Sequence, residues 1–149
     1  MRQTPWLTTN EERAWREFRR MLVSVNARTG RDLARVGLST ADYEVLSTLS
    51  EHPDYRWELK YLAAKMEWSR SRLSRQVSRM KARGLIEREA DDSDGRGCIL
   101  HLTEVGMSTL VDAAPYHLQS VRARFIDHLT PAELATLEQI SRRIANLPN

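Results

Sequence analysis

One short stretch of period-two sequence interrupts a chain whose apolar residues otherwise recur every three or four positions. After Gly84, "LIEREA" and "CILHLT" alternate as strands do, and the polar, glycine-containing "DDSDGRG" between them has the composition of a hairpin tip. Residues 85–102 are therefore expected to form a β-ribbon. All the remaining patterned sequence is helical, so the fold is expected to be mainly α with one small β-hairpin.

Thr9 followed by Glu12 fits a capping box, and Trp15, Phe18, Leu22 and Val25 recur at helical spacing, which predicts a long first helix over 10–36. Ser39 is the expected N-cap of a second helix that turns Val45, Leu46 and Leu49 inward and stops before Pro53. "WELKYLAAKM" predicts a short third helix burying Leu59, Leu62, Ala63 and Met66, and "EWS" the turn after it. Beyond the hairpin, Leu110, Ala114, Leu118, Val121, Phe125 and Leu129 space as one edge of a long helix, with Pro115 expected to bend it or mark a restart. The last helix has Thr130 as N-cap, Pro131 in its first turn and Glu133 closing a capping box, followed by Leu134, Leu137, Ile140, Ile144 and Leu147.

Directly before the hairpin lies "SRSRLSRQVSRMKARG", residues 69–84. From Ser69 to Arg88 there are seven cations and one carboxylate, Glu87, so this segment carries +6 while the rest of a chain of net charge +3 sums to −3. Clustered charge of this kind makes a local field that draws polyanions to one face. At 100° per residue Leu73, Val77 and Met80 fall within about 60° of one another and form a narrow buried edge. The opposite side carries Ser71, Arg72, Arg75, Ser78 and Arg79, flanked by Arg70 and Ser74. Small serines let such a helix approach a surface closely while arginines reach past them to guanine edges or phosphates in a groove about 12 Å wide. A solvated basic surface helix is the plainer alternative; the near absence of acids favours DNA.

Residues 59–106, "LKYLAAKMEWSRSRLSRQVSRMKARGLIEREADDSDGRGCILHLTEVG", contain several spaced motifs in order: the "LA" helix, "S-x-S-x-L-S-R-x-V", "GLIER", "D-x-R" at Asp94 and Arg96, and "LT-x-x-G" at Leu102, Thr103 and Gly106. This run resembles the winged helix-turn-helix of the MarR family of bacterial transcription regulators. A chain of 149 residues is long enough for one domain over 1–149, and the resemblance implies within it a winged helix-turn-helix DNA-binding region at 38–102 and helical dimerisation regions at 10–36 and 103–147. It places Arg70, Ser71, Arg72, Ser74, Arg75 and Arg79 nearest the bases and phosphates of the major groove. It puts Arg96 at the minor groove, its guanidinium held by Asp94. A winged helix does not need the apolar stripes of 15–25 and 118–147 for its own core, so these are expected to meet a second chain; intramolecular packing is the alternative.

The function these expectations describe is a sequence-specific double-stranded DNA-binding transcription regulator, a repressor in the first instance, acting as a homodimer on an inverted repeat. The resemblance further implies release by an anionic aromatic or similar small molecule. Trp15, Phe18, Arg28 and Tyr43 are candidates for lining its cleft, with core packing as the alternative, and no ligand-binding residue is assigned. The rival class is a winged-helix interaction module that binds an acidic protein through its basic helix.

No enzyme, cofactor or metal site is expected. There is no phosphate-cradling glycine loop and no nucleophile with a His partner, and the carboxylates of "EREADDSD" lie in a solvated loop. His52, His101, His117, His128 and Cys98 match no compact ligand spacing. Cys98 is expected to be structural, and as a lone cysteine it fits a reducing compartment. No run approaches the roughly 20 apolar residues of a membrane span, and the N-terminus lacks the apolar core of a secretion signal, so the expected location is cytoplasmic.

Overall fold

The structure is a computed structural model that describes residues 5–91 and 97–148. Its elements run α1 (Thr9–Ala34), α2 (Thr40–Ser50), β1 (Arg56–Glu58), α3 (Leu59–Lys65), α4 (Arg70–Ala82), β2 (Ile86–Asp91), β3 (Gly97–Leu102), α5 (Glu104–Arg124) and α6 (Pro131–Ala145). A 3-10 turn, Ile126–His128, stands between α5 and α6. This is a winged-helix fold, mainly helical with one small antiparallel sheet. No helix among the described residues is long and apolar enough to cross a membrane.

The chain divides into two compact units, one of Asp32–His117 and the other of the residues up to Arg31 and from Leu118 on. The first unit holds the core. Val45, Leu46 and Leu49 of α2, Leu59, Leu62 and Ala63 of α3, and Leu73, Val77 and Met80 of α4 are buried together with Ile86 and Leu100 of the sheet and Leu110 and Ala113 of α5. The spacings along each helix already placed most of these on one side.

The sheet has three strands in the order β1-β3-β2, all antiparallel. The hairpin pairs Ile86 with Leu102 and Ala90 with Cys98. The third strand corrects the expected helix over "WELKYLAAKM": Trp57 and Glu58 are extended and pair with Leu100 and Ile99, and α3 begins only at Leu59. Tyr55, in the left-handed region at φ 54°, turns the chain, and its carbonyl accepts from the Leu102 N–H at 2.9 Å. Backbone pairing to β3, more than 40 residues away, overrides any local helical preference there.

Three helix ends also differ from expectation. The α1 capping box is Thr8 with Glu11, not Thr9 with Glu12: the Thr8 N–H donates to Glu11 Oε2 at 2.7 Å and the Glu11 N–H to Thr8 Oγ1 at 3.4 Å. Glu12 pairs with Arg16 instead, at 2.6 Å. α1 ends at Ala34 rather than Val36, before Gly37 at φ 81°. α5 runs without a break through Pro115 but ends at Arg124, so the edge expected to continue to Leu129 passes into the 3-10 turn.

In the second unit little is buried. Trp15 and Phe18 stack with ring centroids 5.9 Å apart yet stay about half exposed, at 52% and 44%. No residue of α6 is buried, and Ile144 and Leu147 are 59% and 64% exposed. The capping box of α6 forms as its sequence predicts, with the Glu133 N–H on Thr130 Oγ1 and the Thr130 N–H on Glu133 Oε2.

Candidate nucleic-acid interface

α3 stops at a left-handed residue, Glu67 at φ 54°, and the Trp68 N–H reaches back to the Ala63 carbonyl at 2.9 Å. Two residues later Ser69 caps α4, accepting from the Arg72 N–H at 3.1 Å. The tight turn thus delivers α4 onto the core by Leu73, Val77 and Met80, each at 0% exposure. With that edge sealed, the opposite face has to point outward.

Arg70, Ser71, Arg72, Arg75 and Arg79 are exposed, and Ser74 is half-buried. Four of these six, Arg70, Ser71, Ser74 and Arg75, meet at one concavity of about 700 Å³ that is walled on its other sides by Glu58, Lys60, Arg88 and Cys98. Glu58 is occupied by Lys60, 3.0 Å away, so the arginines leave the concavity positive. Arg72 is held elsewhere, with its guanidinium 3.7 Å above the centre of the Trp68 ring. Such a stack is stabilising by about 0.5–2 kcal/mol and keeps a long side chain in one orientation. Arg79 is anchored through Nη2, which donates to Gln76 Oε1 at 2.5 Å. None of these arginines pairs with a carboxylate among the described residues. Asp94 and Arg96 of the hairpin tip lie outside the described residues.

Arg88, which the sequence pattern marks only as charge, is a further residue of this site. It belongs to β2, two residues after fully buried Ile86 and on the same face, opposite Leu100 of β3. From there Nη1 lies 3.3 Å from both Ser74 Oγ and Ser78 Oγ, tying the hairpin to α4. Period-two alternation from Ile86 is the sequence signal that points to it. Trp68, in the sequence only a residue of the turn, is likewise part of the site through its stack with Arg72.

A second polar cluster fixes α4 to α2. Asp42 is 4% exposed and closes the α2 capping box with Ser39. Its Oδ1 accepts from Gln76 Nε2 and its Oδ2 from Arg83 Nη1, both at 2.7 Å, while Arg83 Nη2 donates to the Gly37 carbonyl at 2.8 Å. Burial pushes the Asp42 carboxyl upward, but the Ser39 N–H and the Arg83 guanidinium together outweigh it and hold the group below the usual aspartate value.

The "LT-x-x-G" motif is a clamp at the base of the hairpin. Thr103 Oγ1 donates to the Gly84 carbonyl at 2.6 Å and accepts from the Gly106 N–H at 2.9 Å, so one hydroxyl caps α5 and ties it to the end of α4. Cys98, the second residue of β3, is half-buried against the core. Among the described residues no three of His, Cys, Asp and Glu come together as a metal-binding group.

Residues 36–97 match the sequence profile of the MarR family. The structure is similar to that of AbsC, a MarR family transcriptional regulator from Streptomyces coelicolor, with a TM-score of 0.89 and 40% identity over 95% of this chain and 96% of that one. It is also similar to Sco3205, a MarR family regulator from the same organism solved in complex with DNA, with a TM-score of 0.91 and 34% identity over 97% and 91% of the two chains. In sequence the chain is 26% identical to the transcriptional regulator HosA of Escherichia coli O157:H7, over 93% of this chain and 98% of that protein.

Proposed function

The chain belongs to the MarR family of DNA-binding transcription regulators, and from that premise we propose that it acts in the cytoplasm as a homodimeric repressor of an inverted-repeat operator. The observation that carries this reading is the face of α4: Arg70, Arg72, Arg75 and Arg79 are exposed on a helix whose other edge is sealed in the core, and no described carboxylate neutralises them. A helix so placed fits the major groove, where arginine donates to guanine or phosphate. Sco3205, 34% identical over almost the whole chain, has been solved with DNA.

In this reading Arg70, Ser71, Ser74 and Arg75 meet the duplex together, Arg72 and Arg79 extend the contact, and Arg96 with Asp94 takes the minor groove beside it. The exposed apolar residues of α1 and α6 supply the twofold interface, because aromatic and aliphatic side chains left half in water favour a second chain. A small aromatic anion that releases the DNA completes the reading.

Selection of duplexes from a random pool by the purified protein tests the function. The expected product is an inverted repeat with half-site centres about one DNA turn, roughly 34 Å, apart. Recovery of no preferred sequence, together with binding to acidic proteins, would instead make the basic helix a protein-interaction surface.

A further inference from the structure

Gln76 is a polar residue at a position the helix otherwise reserves for the core. It is 4% exposed, on the same side of α4 as Leu73, Val77 and Met80. A buried amide costs free energy unless both its ends are bonded, and here both are. Nε2 donates to Asp42 Oδ1 at 2.7 Å, and Oε1 accepts from Arg79 Nη2 at 2.5 Å. The orientation of the amide follows from chemistry, since an ionised carboxylate only accepts and a guanidinium only donates. Asp42 is itself immobilised by the Ser39 N–H at 2.9 Å and by Arg83 at 2.7 Å.

We propose that Gln76 is a positioning residue that transmits the fixed geometry of Asp42 to Arg79 and so aims the exposed guanidinium at the duplex. An unanchored arginine on a helix surface samples many rotamers and gives up that freedom on binding. Arg79 is already held by one nitrogen, which leaves its other donors free for DNA and directs them along one line. The anchor therefore favours a base or phosphate at one position and penalises a site that presents it elsewhere. This role rests on the DNA-binding reading above, but the tether itself belongs to the free protein.

The test uses Gln76→Met, which preserves length and suits the buried edge, in the full-length protein, with Arg79→Ala and the double variant. In the free protein the Arg79 guanidinium N–H signals, observed by NMR, are expected to show hindered rotation in the wild type and to lose it in Gln76→Met. Affinity for the selected duplex should fall roughly tenfold in Gln76→Met, random-duplex affinity should stay within about twofold, and the fall should vanish in the Arg79→Ala background. An unchanged guanidinium signal overturns the tether. An equal loss in the Arg79→Ala background overturns positioning, because the substitution then acts through the fold. Hindered rotation in a wild-type protein that binds no duplex overturns the DNA reading, and with it the role at DNA, while leaving the tether in place.

Discussion

Gly106 lies against Leu85 so closely that a Cβ at position 106 would sit 2.1 Å from the Leu85 carbonyl oxygen and 2.8 Å from Leu102 Cδ1. No real side chain tolerates that separation, and the obstacle is backbone rather than a flexible tip. The start of α5 can pack across the base of the hairpin only because this residue is glycine. Gly106→Ala is accordingly expected to destabilise the protein by about 2–4 kcal/mol, measured by urea denaturation. A loss under about 1 kcal/mol would mean that the helix shifts at little cost and that the clamp is not tight.

At the interface, Arg72→Ala and Arg75→Ala are each expected to weaken binding to the selected duplex by about 1–3 kcal/mol and to random duplex far less. Equal losses on both would leave these residues only a phosphate role. Trp68→Leu should reproduce part of the Arg72→Ala effect, since it removes the ring beneath the guanidinium while keeping an apolar side chain in its place.

Asp42 sets an acid limit on stability. Its carboxyl is pulled upward by burial and more strongly downward by the Ser39 N–H and Arg83, so the folded-state value lies below the ordinary one of 3.8. The unfolded chain then binds the proton more readily. The contribution is fully present above about pH 5 and is lost as pH falls through the folded value. Asp42→Asn should cost about 1–3 kcal/mol at neutral pH, and the gap to wild type should narrow below about pH 4. Denaturation midpoints across this range check it; a constant gap would assign the loss to the hydrogen bonds that an amide cannot accept rather than to the charge.

The exposed apolar side of α6 makes a separate prediction. Ile140→Glu combined with Ile144→Glu replaces two residues that are 39% and 59% exposed in the single chain. It is expected to raise the dimer dissociation constant by roughly 100-fold or more, seen by sedimentation, while urea unfolding of the winged-helix core changes little. A dimer of undiminished stability would place the interface elsewhere.

How much of this was legible beforehand depended on how local each feature is. The inward edge of α4, Leu73, Val77 and Met80, follows from its spacing, as do the hairpin and the Thr130–Glu133 capping box. The α1 box was misplaced by one residue because Thr8 and Thr9 are equivalent by composition; which hydroxyl accepts depends on where the helix actually starts. β1 is too short, at three residues, to show a period of its own. The spacing of α4 assigns Gln76 no role, because the partner that gives it one, Asp42, stands 34 residues earlier in the chain.

The sequence by itself determined the order of the six helices and the hairpin, the sealed edge of α4, the concentration of positive charge and the family resemblance. Those properties arise from period, caps and local charge, which neighbouring residues carry. Only the tertiary structure decided how the cations are held: Arg88 folded onto Ser74 and Ser78, Arg72 stacked on Trp68, and Arg79 tied through Gln76 to Asp42. Alternation from Ile86 gives the face of Arg88, but its contact with α4 exists only because the core brings the hairpin there; Arg72 meets Trp68 only because the turn sets that ring beneath the helix start, and Arg79 is fixed only because Gln76 is itself bonded to Asp42 of another helix.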